Sequence, residues 1–543
     1  MRSKAPAIAL LLATAVALGQ EAAPAPQVPV FSERVEVRVL DLDVDVTDSK
    51  GQPVTDLKRE DFTVKIGGKA MTIDYFARVA DGTIHSPDLA TASPDQVLAA
   101  YTKGGEATVP RNFLIYIDLG FISPGIRNRS INALSDFVTR LGPNDATRLV
   151  LFDRSPIVLQ DWTTSKESAM SALSRIEKEH PGMSRLQTER QTIALIDSTP
   201  RRRRGAYVEQ YAAQVSQEIQ TMITSMQSEL VTLSPLAGKK SFIFLTGGFE
   251  YQPGYVMAQY ASGSVAAPSL SFTNIRQIPE RVGGMVQNAN SDEVTFFTID
   301  ATGLTGEGVG AGNDDPLSSR PGVGFQARQD RQAGLQEMAL ETGGRALLNT
   351  NDFQRGLGKV YEAVSTYYTV GVNLSSLPIG KYEKVEVEVA RPGVTVRSRR
   401  GFAARPETVL VEQRARATME TDLSYTAIPA EIKTAPPTPD KKLYRLPITV
   451  TMPASSLTFV PNGDKATARA AFYIGSIDDK GRMSDITRQE TTFELASSQT
   501  SGDTPLTYAA DLQTKKGNYR IVVNVRDVAT GKMGTARANV RVD

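Results

Sequence analysis

The residues that invite a chemical reading are carboxylates placed at the ends of apolar runs. In "FLIYIDLGFISPG", residues 113–125, a near-continuous apolar stretch ends in Asp118 and passes into a glycine-bearing turn. Such a run is the pattern of a strand buried on both faces, and in open α/β sheets ligands sit at the carboxyl ends of the strands. Asp118 is therefore a candidate ligand for a hard cation such as Mg²⁺, with the hydroxyl of Ser123 nearby in sequence. Glu250 and Asp300 follow later apolar runs in the same way, so carboxylate-based hydrolysis with Asp118, Glu250 or Asp300 at the sheet edge is a second chemistry to weigh. A third is calcium binding by Asp41, Asp43, Asp45 and Asp48. The EF-hand pattern needs glycine at loop position six, where this chain has Val46, so alternating aspartates on the solvent face of a strand are the better account.

Composition removes other chemistries. The 543-residue chain has no cysteine, which excludes disulfides, thiol nucleophiles and Cys-ligated zinc. Its only histidines are His85 and His180, both in polar surroundings that suit surface residues, so histidine triads and HExxH zinc sites are excluded. Hydrophobic content of 41%, charged content of 22% and a net charge of +1 describe an ordinary globular protein with no bulk charge to draw a nucleic acid.

The N-terminus reads as an export signal. Arg2 and Lys4 precede "AIALLLATAVALG", too short to span a bilayer, so residues 1–19 are expected to be a signal peptide with cleavage after Gly19 or a few residues beyond. No membrane span is expected in the mature chain.

The elements that must position the carboxylates fall into zones. Residues 31–80 alternate as strands and form an N-terminal β-module; a phase slip between Val39 and Leu42 suggests a bulge. Residues 81–110 are small and polar, a linker. Over 111–375 strands alternate with helices: "TRLVLFD", "PIVLQDW", "SFIFLT", "VTFFTID", "RALLN" and "YYTVGVNL", with helices that include one from Tyr207 to Leu233 and another over 329–342. This predicts a central doubly wound, mostly parallel sheet. Residues 376–405 are a β-extension and 406–430 a linker. Residues 431–543 show strands at regular spacing, an immunoglobulin-like β-sandwich. Arg201–Arg204 form a basic block that suits a solvated loop and would also dock an acidic partner or anionic envelope polymer.

"FLIYID", "KKSFIFLTGG", "VTFFTIDATGL", "ETGGRALLNTND" and "STYYTVGV", in that order, resemble a von Willebrand factor type A domain. More narrowly, the chain is similar over residues 31–405 to secreted type A-related proteins of Acidobacteria, including the segment "VDVTDSKGQPVTDLKREDFTV" before the domain and "GKYEKVEVEVARPGVTVRSRRGFAA" after it. The resemblance implies a metal-ion-dependent adhesion site built from Asp-x-Ser-x-Ser, a threonine in a later loop and an aspartate after the fourth strand. Asp118 matches the first position. Gly120 and Ile122 stand at the serine positions, Ser123 lies one residue late, and Thr188 and Thr192 are the nearest threonine candidates. Gly247 or Gly248 stands where the later aspartate belongs, with Thr246 and Glu250 beside it. The resemblance thus implies a degenerate site with no cofactor, Mg²⁺ at Asp118 and Ser123 being the alternative. It also implies a non-enzymatic role binding a protein partner in the cell envelope or exterior. The candidate contact residues are Asp118, Gly120, Phe121, Ser123, Thr246, Gly247, Gly248 and Glu250.

Overall fold

The computed structural model describes residues 10–11, 39–80, 82–85, 109–179, 182–403 and 407–543, apart from 235, 237, 264–271, 304–316, 318–321, 375–376, 379, 421–423, 442, 463 and 501. The chain divides into two compact units, Val37–Pro406 and a second formed by Met1–Glu36 with Glu407–Asp543. His180, and nearly all of the expected signal peptide and of the 81–110 linker, lie outside the described residues.

The first unit begins with β1 (Val39–Thr47), β2 (Phe62–Ile66), β3 (Lys69–Met71), β4 (Ile73–Ala80) and β5 (Thr83–His85). The α/β segment then runs β6 (Arg111–Asp118), α1 (Pro124–Thr139), β7 (Ala146–Asp153), β8 (Ser155–Thr163), α2 (Lys166–Glu179), α3 (Ser184–Ser198) and α4 (Arg204–Leu233). It continues with β9 (Lys239–Thr246), α5 (Tyr255–Ser262), α6 (Phe272–Ser291), β10 (Val294–Asp300), α7 (Val323–Glu341), β11 (Arg345–Leu347) and α8 (Phe353–Ser365). β12 (Tyr367–Asn373), β13 (Tyr382–Val389), β14 (Thr395–Arg397) and β15 (Gly401–Ala403) complete the unit.

The central sheet has the order β11-β10-β9-β6-β7-β8 and is parallel except for β8, which returns antiparallel to β7. The strands β6, β9 and β10 are buried along their whole length and mostly apolar because helices cover both faces. On one side Phe113, Ile115 and Ile117 pack with Leu134, Phe137, Leu173 and Leu357. The alternate residues Tyr116, Phe242, Phe244 and Phe296 stack on the other, and the Tyr116 hydroxyl lies 3.2 Å from Ser225 Oγ of α4. Strand register aligns Asp118, Thr246 and Asp300 in one row across β6, β9 and β10. That row is the carboxyl edge from which the site is built.

The flanking strands correct the expected boundaries. "YYTVGV" does not join the parallel sheet: β12 lies between β1 and β4 in an antiparallel sheet of order β14-β1-β12-β4-β5. A second sheet, β15-β13-β2-β3, faces it. The N-terminal β-module, the β-extension and β12 are therefore one sandwich, because its core needs all three segments: Leu42 and Val44, Tyr368 and Val370, Val64 and Val385 share a single cluster. The inward set of β1 is Leu40, Leu42, Val44 and Val46, and its pairing with β12 runs without a break, so the expected bulge is absent there.

The aspartates of β1 are not a solvated face. Asp43 accepts from Lys239 Nζ at 2.8 Å, and Asp45 pairs with Arg345 Nη2 at 2.5 Å. They join the sandwich to the strands of the parallel sheet. Asp48 instead closes a turn by accepting from the amides of Lys50 and Gln52, both at 2.8 Å.

The second unit contains α9 (Glu407–Glu420) and the strands β16 (Glu431–Thr434), β17 (Thr438–Asp440), β18 (Leu443–Pro453), β19 (Val460–Asn462), β20 (Lys465–Asp478), β21 (Thr487–Ala496), β22 (Pro505–Thr514), β23 (Gly517–Asp527) and β24 (Met533–Val542). They form two antiparallel sheets with a shared core in which Phe472 stacks on Tyr508 at 3.8 Å. Leu10–Leu11 pairs with Leu512 and Asp511 at the edge of one sheet.

The glycines of "ETGGR" follow α7, and packing sets a requirement on them. A Cβ on Gly344 would lie 1.8 Å from the Phe296 carbonyl oxygen, and one on Gly343 2.4 Å from the Ser398 carbonyl carbon. Backbone cannot move aside as a flexible side chain can. Gly344→Ala is expected to lower unfolding free energy in urea by about 3 kcal/mol, as overpacking does; unchanged stability would show that the strand shifts freely.

Candidate functional site

Asp118 ends β6 completely buried, and its partner is a cation from the chain itself. The guanidinium of Arg185, in the first turn of α3 and also fully buried, donates from Nη2 to Oδ1 at 2.8 Å and from Nη1 to Oδ2 at 3.0 Å. This is the planar two-bond geometry that arginine forms with carboxylates. Thr246 Oγ1, at the end of β9, donates to Oδ2 at 2.6 Å, and the Gly120 amide donates to Oδ1 at 3.1 Å. The remaining guanidinium contacts are Nε to Glu218 Oε1 at 2.9 Å, Nη1 to the Gly248 carbonyl at 3.4 Å and Nη2 to Met222 Sδ at 3.6 Å. Burial opposes the charge on Arg185, but Asp118 and Glu218 outweigh it and hold its pKa above the ordinary arginine value.

Local backbone explains how arginine reaches this position. Gly182 and Met183 both take positive φ, 73° and 68°, a conformation rare for methionine. This brings the first turn of α3 onto the β6–α1 loop, where the amides of Arg185 and Leu186 donate to the Gly120 carbonyl at 3.0 and 3.2 Å. Gly120 makes the room: a Cβ there would lie 2.7 Å from Arg185 Cζ. The glycine at position 120 and the presence of Arg185 are thus one feature. Phe121 covers the guanidinium from above at 5.7 Å and lies beneath the Arg331 guanidinium at 4.2 Å.

Of the sequence candidates, the fold brings Asp118, Gly120, Phe121, Thr246, Gly247 and Gly248 together. All are buried, with the side chains of Asp118, Phe121 and Thr246 facing inward. Ser123 is half-buried at the start of α1 and makes no hydrogen bond to Asp118. Thr188 and Thr192 bond back to carbonyls of their own helix, Ser184 and Thr188. Asp300 is engaged separately, by the Thr302 amide and hydroxyl and by Gln332 Nε2. The residues that sequence reasoning missed are Arg185 and Glu218. Glu218 carries a weak signal, an acid beside the apolar stripe Val215, Ile219, Met222; Arg185 carries none.

A second buried set lies next to this one. Arg331 of α7 pairs with Glu189 of α3, and Glu250 accepts from the Tyr211 hydroxyl and from the Gly254 amide at 2.7 Å. Asp330 accepts from the Gln252 amide at 3.0 Å. Burial raises the pKa of Glu250, opposed by its bond from Tyr211. Burial, reinforced by the charge of Glu250, lifts Asp330 to about 7. Among the described residues no group of three or more histidine, cysteine, aspartate or glutamate side chains converges to hold a metal ion.

No known family profile matches the chain, and no curated protein matches it significantly. Similar solved structures include an aerotolerance-related membrane protein from Bacteroides fragilis, with 11% identity and a TM-score of 0.25, covering 47% of this chain and 98% of that one. A von Willebrand factor type A structure from Catenulispora acidiphila has 9% identity and a TM-score of 0.23, covering 93% and 74%. The pilus adhesin SpaC from Lactobacillus rhamnosus GG has 8% identity and a TM-score of 0.25, covering 79% and 57%. Likeness at this level assigns no activity.

Two outcomes follow from the geometry. Arg185→Leu leaves Asp118 buried without its cation and is expected to cost about 3–5 kcal/mol in urea unfolding, partly recovered by adding Asp118→Asn. A single variant as stable as wild type would contradict the pairing. Asp330 has a folded pKa near 7 against an ordinary value of 3.8, so between these values the native state holds a proton that the unfolded chain releases. Stability should therefore fall as pH rises from about 4 through 7, and Asp330→Asn should flatten that part of the melting-temperature profile.

Proposed function

We propose that this is an exported, non-enzymatic protein-binding or scaffolding component of the bacterial envelope or exterior, built on a von Willebrand type A-like domain that works without a metal ion. Export rests on the leader-like residues 1–19, and the domain reading on the ordered sequence motifs together with a mostly parallel sheet that ends in Asp118. The observation that carries the metal-free reading is the pairing of both Asp118 oxygens with Arg185. A fixed guanidinium already supplies the positive charge, and Mg²⁺, which gives up water reluctantly and wants several oxygen ligands, gains too little by displacing it. A partner therefore meets the loops and helices around the site rather than an ion.

The non-enzymatic part draws on the same bookkeeping. Asp118, Glu250 and Asp300 each spend their oxygens on separate internal donors, Arg185 with Thr246, Tyr211 with Gly254, and Thr302 with Gln332. The carboxylate-based hydrolysis considered for these residues needs them close enough, and free enough, to share one substrate.

Affinity capture from envelope extract, with Mg²⁺ and then with chelator, tests the reading. The same partner should be recovered in equal yield under both conditions. Loss of capture on chelation would instead establish a Mg²⁺-dependent adhesin acting through Asp118 and Ser123, and turnover of the captured molecule would establish the hydrolase.

A further inference from the structure

Helices α3 and α4 form a hairpin that stands above the carboxyl edge of the central sheet. Three contacts fix how α4 lies: Glu229 accepts from Arg148 of β7, Ser225 meets the Tyr116 hydroxyl within β6, and Glu218 meets Arg185 at the level of Asp118. Toward its N-terminus α4 thus climbs the sheet and reaches the edge at Glu218. At about 1.5 Å per residue, the stretch from Glu218 back to Arg204 carries the helix about 20 Å past that edge. Helix α5 supports the hairpin from the side: Gly254 packs against Ala212, and the Tyr260 hydroxyl donates to Asp197 at 2.8 Å.

The tip of the hairpin is the 3₁₀ turn Arg201–Arg203. Residues 190–209 carry five arginines against two acids, Asp197 and Glu209, and α5 beside them has no charged residue. Arg204 is the half-buried arginine that holds the turn, donating from Nε to the Thr199 carbonyl at 2.8 Å and from Nη1 to the Ala261 carbonyl at 3.2 Å. Arg201, Arg202 and Arg203 are exposed, and among the described residues their side chains have no hydrogen bond or ion pair. Three cations without internal acceptors, on a backbone already fixed, meet an outside anion with little further ordering of the chain.

Chemistry narrows what that anion belongs to. The planar fork of arginine matches a carboxylate through two parallel hydrogen bonds. Successive residues of a 3₁₀ turn point about 120° apart, so a flat anionic surface faces at most two of the three side chains, whereas an extended chain can wrap all of them. On the same hairpin Leu195 is 47% exposed, roughly 10 Å before the turn, a reach of about three residues of extended chain. An anionic polymer without apolar groups gains nothing by covering a leucine, and a polypeptide with apolar residues among its acids does.

We propose that this tip is the docking surface for an extended acidic segment of a protein partner, whose carboxylates pair with Arg201, Arg202 and Arg203 while an apolar side chain covers Leu195. The proposal rests on the protein-binding reading above and gives the contact its place and its charge.

Fluorescence anisotropy with the full-length protein and a labelled glutamate-rich peptide flanked by leucines tests the surface. Saturable binding that weakens as salt rises is expected, and glutamine in place of every glutamate should abolish it. Arg201→Gln, Arg202→Gln and Arg203→Gln together should weaken binding by about tenfold or more, with urea unfolding unchanged because these side chains hold nothing internal. Leu195→Ser should weaken it as well. Binding undiminished by the triple substitution overturns the proposal. So does binding indifferent to Leu195→Ser, the behaviour of a general polyanion surface, which dextran sulfate or phosphatidylglycerol vesicles would then share. A partner captured equally by wild type and the triple variant also overturns the docking surface and leaves the protein-binding reading intact. Peptide binding that depends on the arginines and on Leu195, in a chain that captures no partner, supports the surface and counts against the envelope-protein reading alone.

Discussion

The buried pair of Asp118 and Arg185 is the constraint around which the upper edge of the central sheet is arranged. A carboxylate sealed from water is tolerated only with an opposite charge and hydrogen bonds on its oxygens, and every neighbouring peculiarity serves that need. Gly120 leaves the space the guanidinium fills, positive φ at Gly182 and Met183 brings α3 to the loop, and Thr246 closes the last position on Asp118. Glu218 then balances the outer side of the guanidinium. Replacing any one of these would leave a charge or a donor without its counterpart.

That arrangement leaves no open coordination position at the upper edge of the sheet. A metal site is open on one side because the ion keeps a position for an outside ligand; a guanidinium with its donors directed at internal acceptors keeps none. The surface next to it differs. Around Glu250 and Asp330 the carboxylates are held by neutral donors, the Tyr211 hydroxyl and the amides of Gly254 and Gln252, while Arg331 pairs with Glu189.

The flanking strands show a similar economy. β12 follows α8 directly, yet leaves the parallel sheet to complete a sandwich whose other strands come from either end of the unit. Asp43 and Asp45, which alternate on β1 as a solvated face would, meet Lys239 and Arg345 instead. Alternation in a strand reports which residues share a face; it does not report whether water or another part of the chain lies opposite.

The sequence by itself determined the elements. Near-continuous apolar runs marked β6, β9 and β10 as buried strands, helical patterns marked α4 and α7, and regular alternation marked the C-terminal sandwich. It also placed Asp118 at a strand end and put Gly120 and Ile122 where the resemblance implies serine ligands. These features are local, set by periodicity over a few residues. Only the tertiary structure decided what pairs with Asp118, because Arg185 is 67 residues from it in the chain and meets it through a helix whose own pattern says nothing about its charge. The grouping of β12 with β1 and β4 was hidden for the same reason. Contacts between residues far apart in sequence depend on how the elements pack, and neither spacing nor composition encodes that in any one segment.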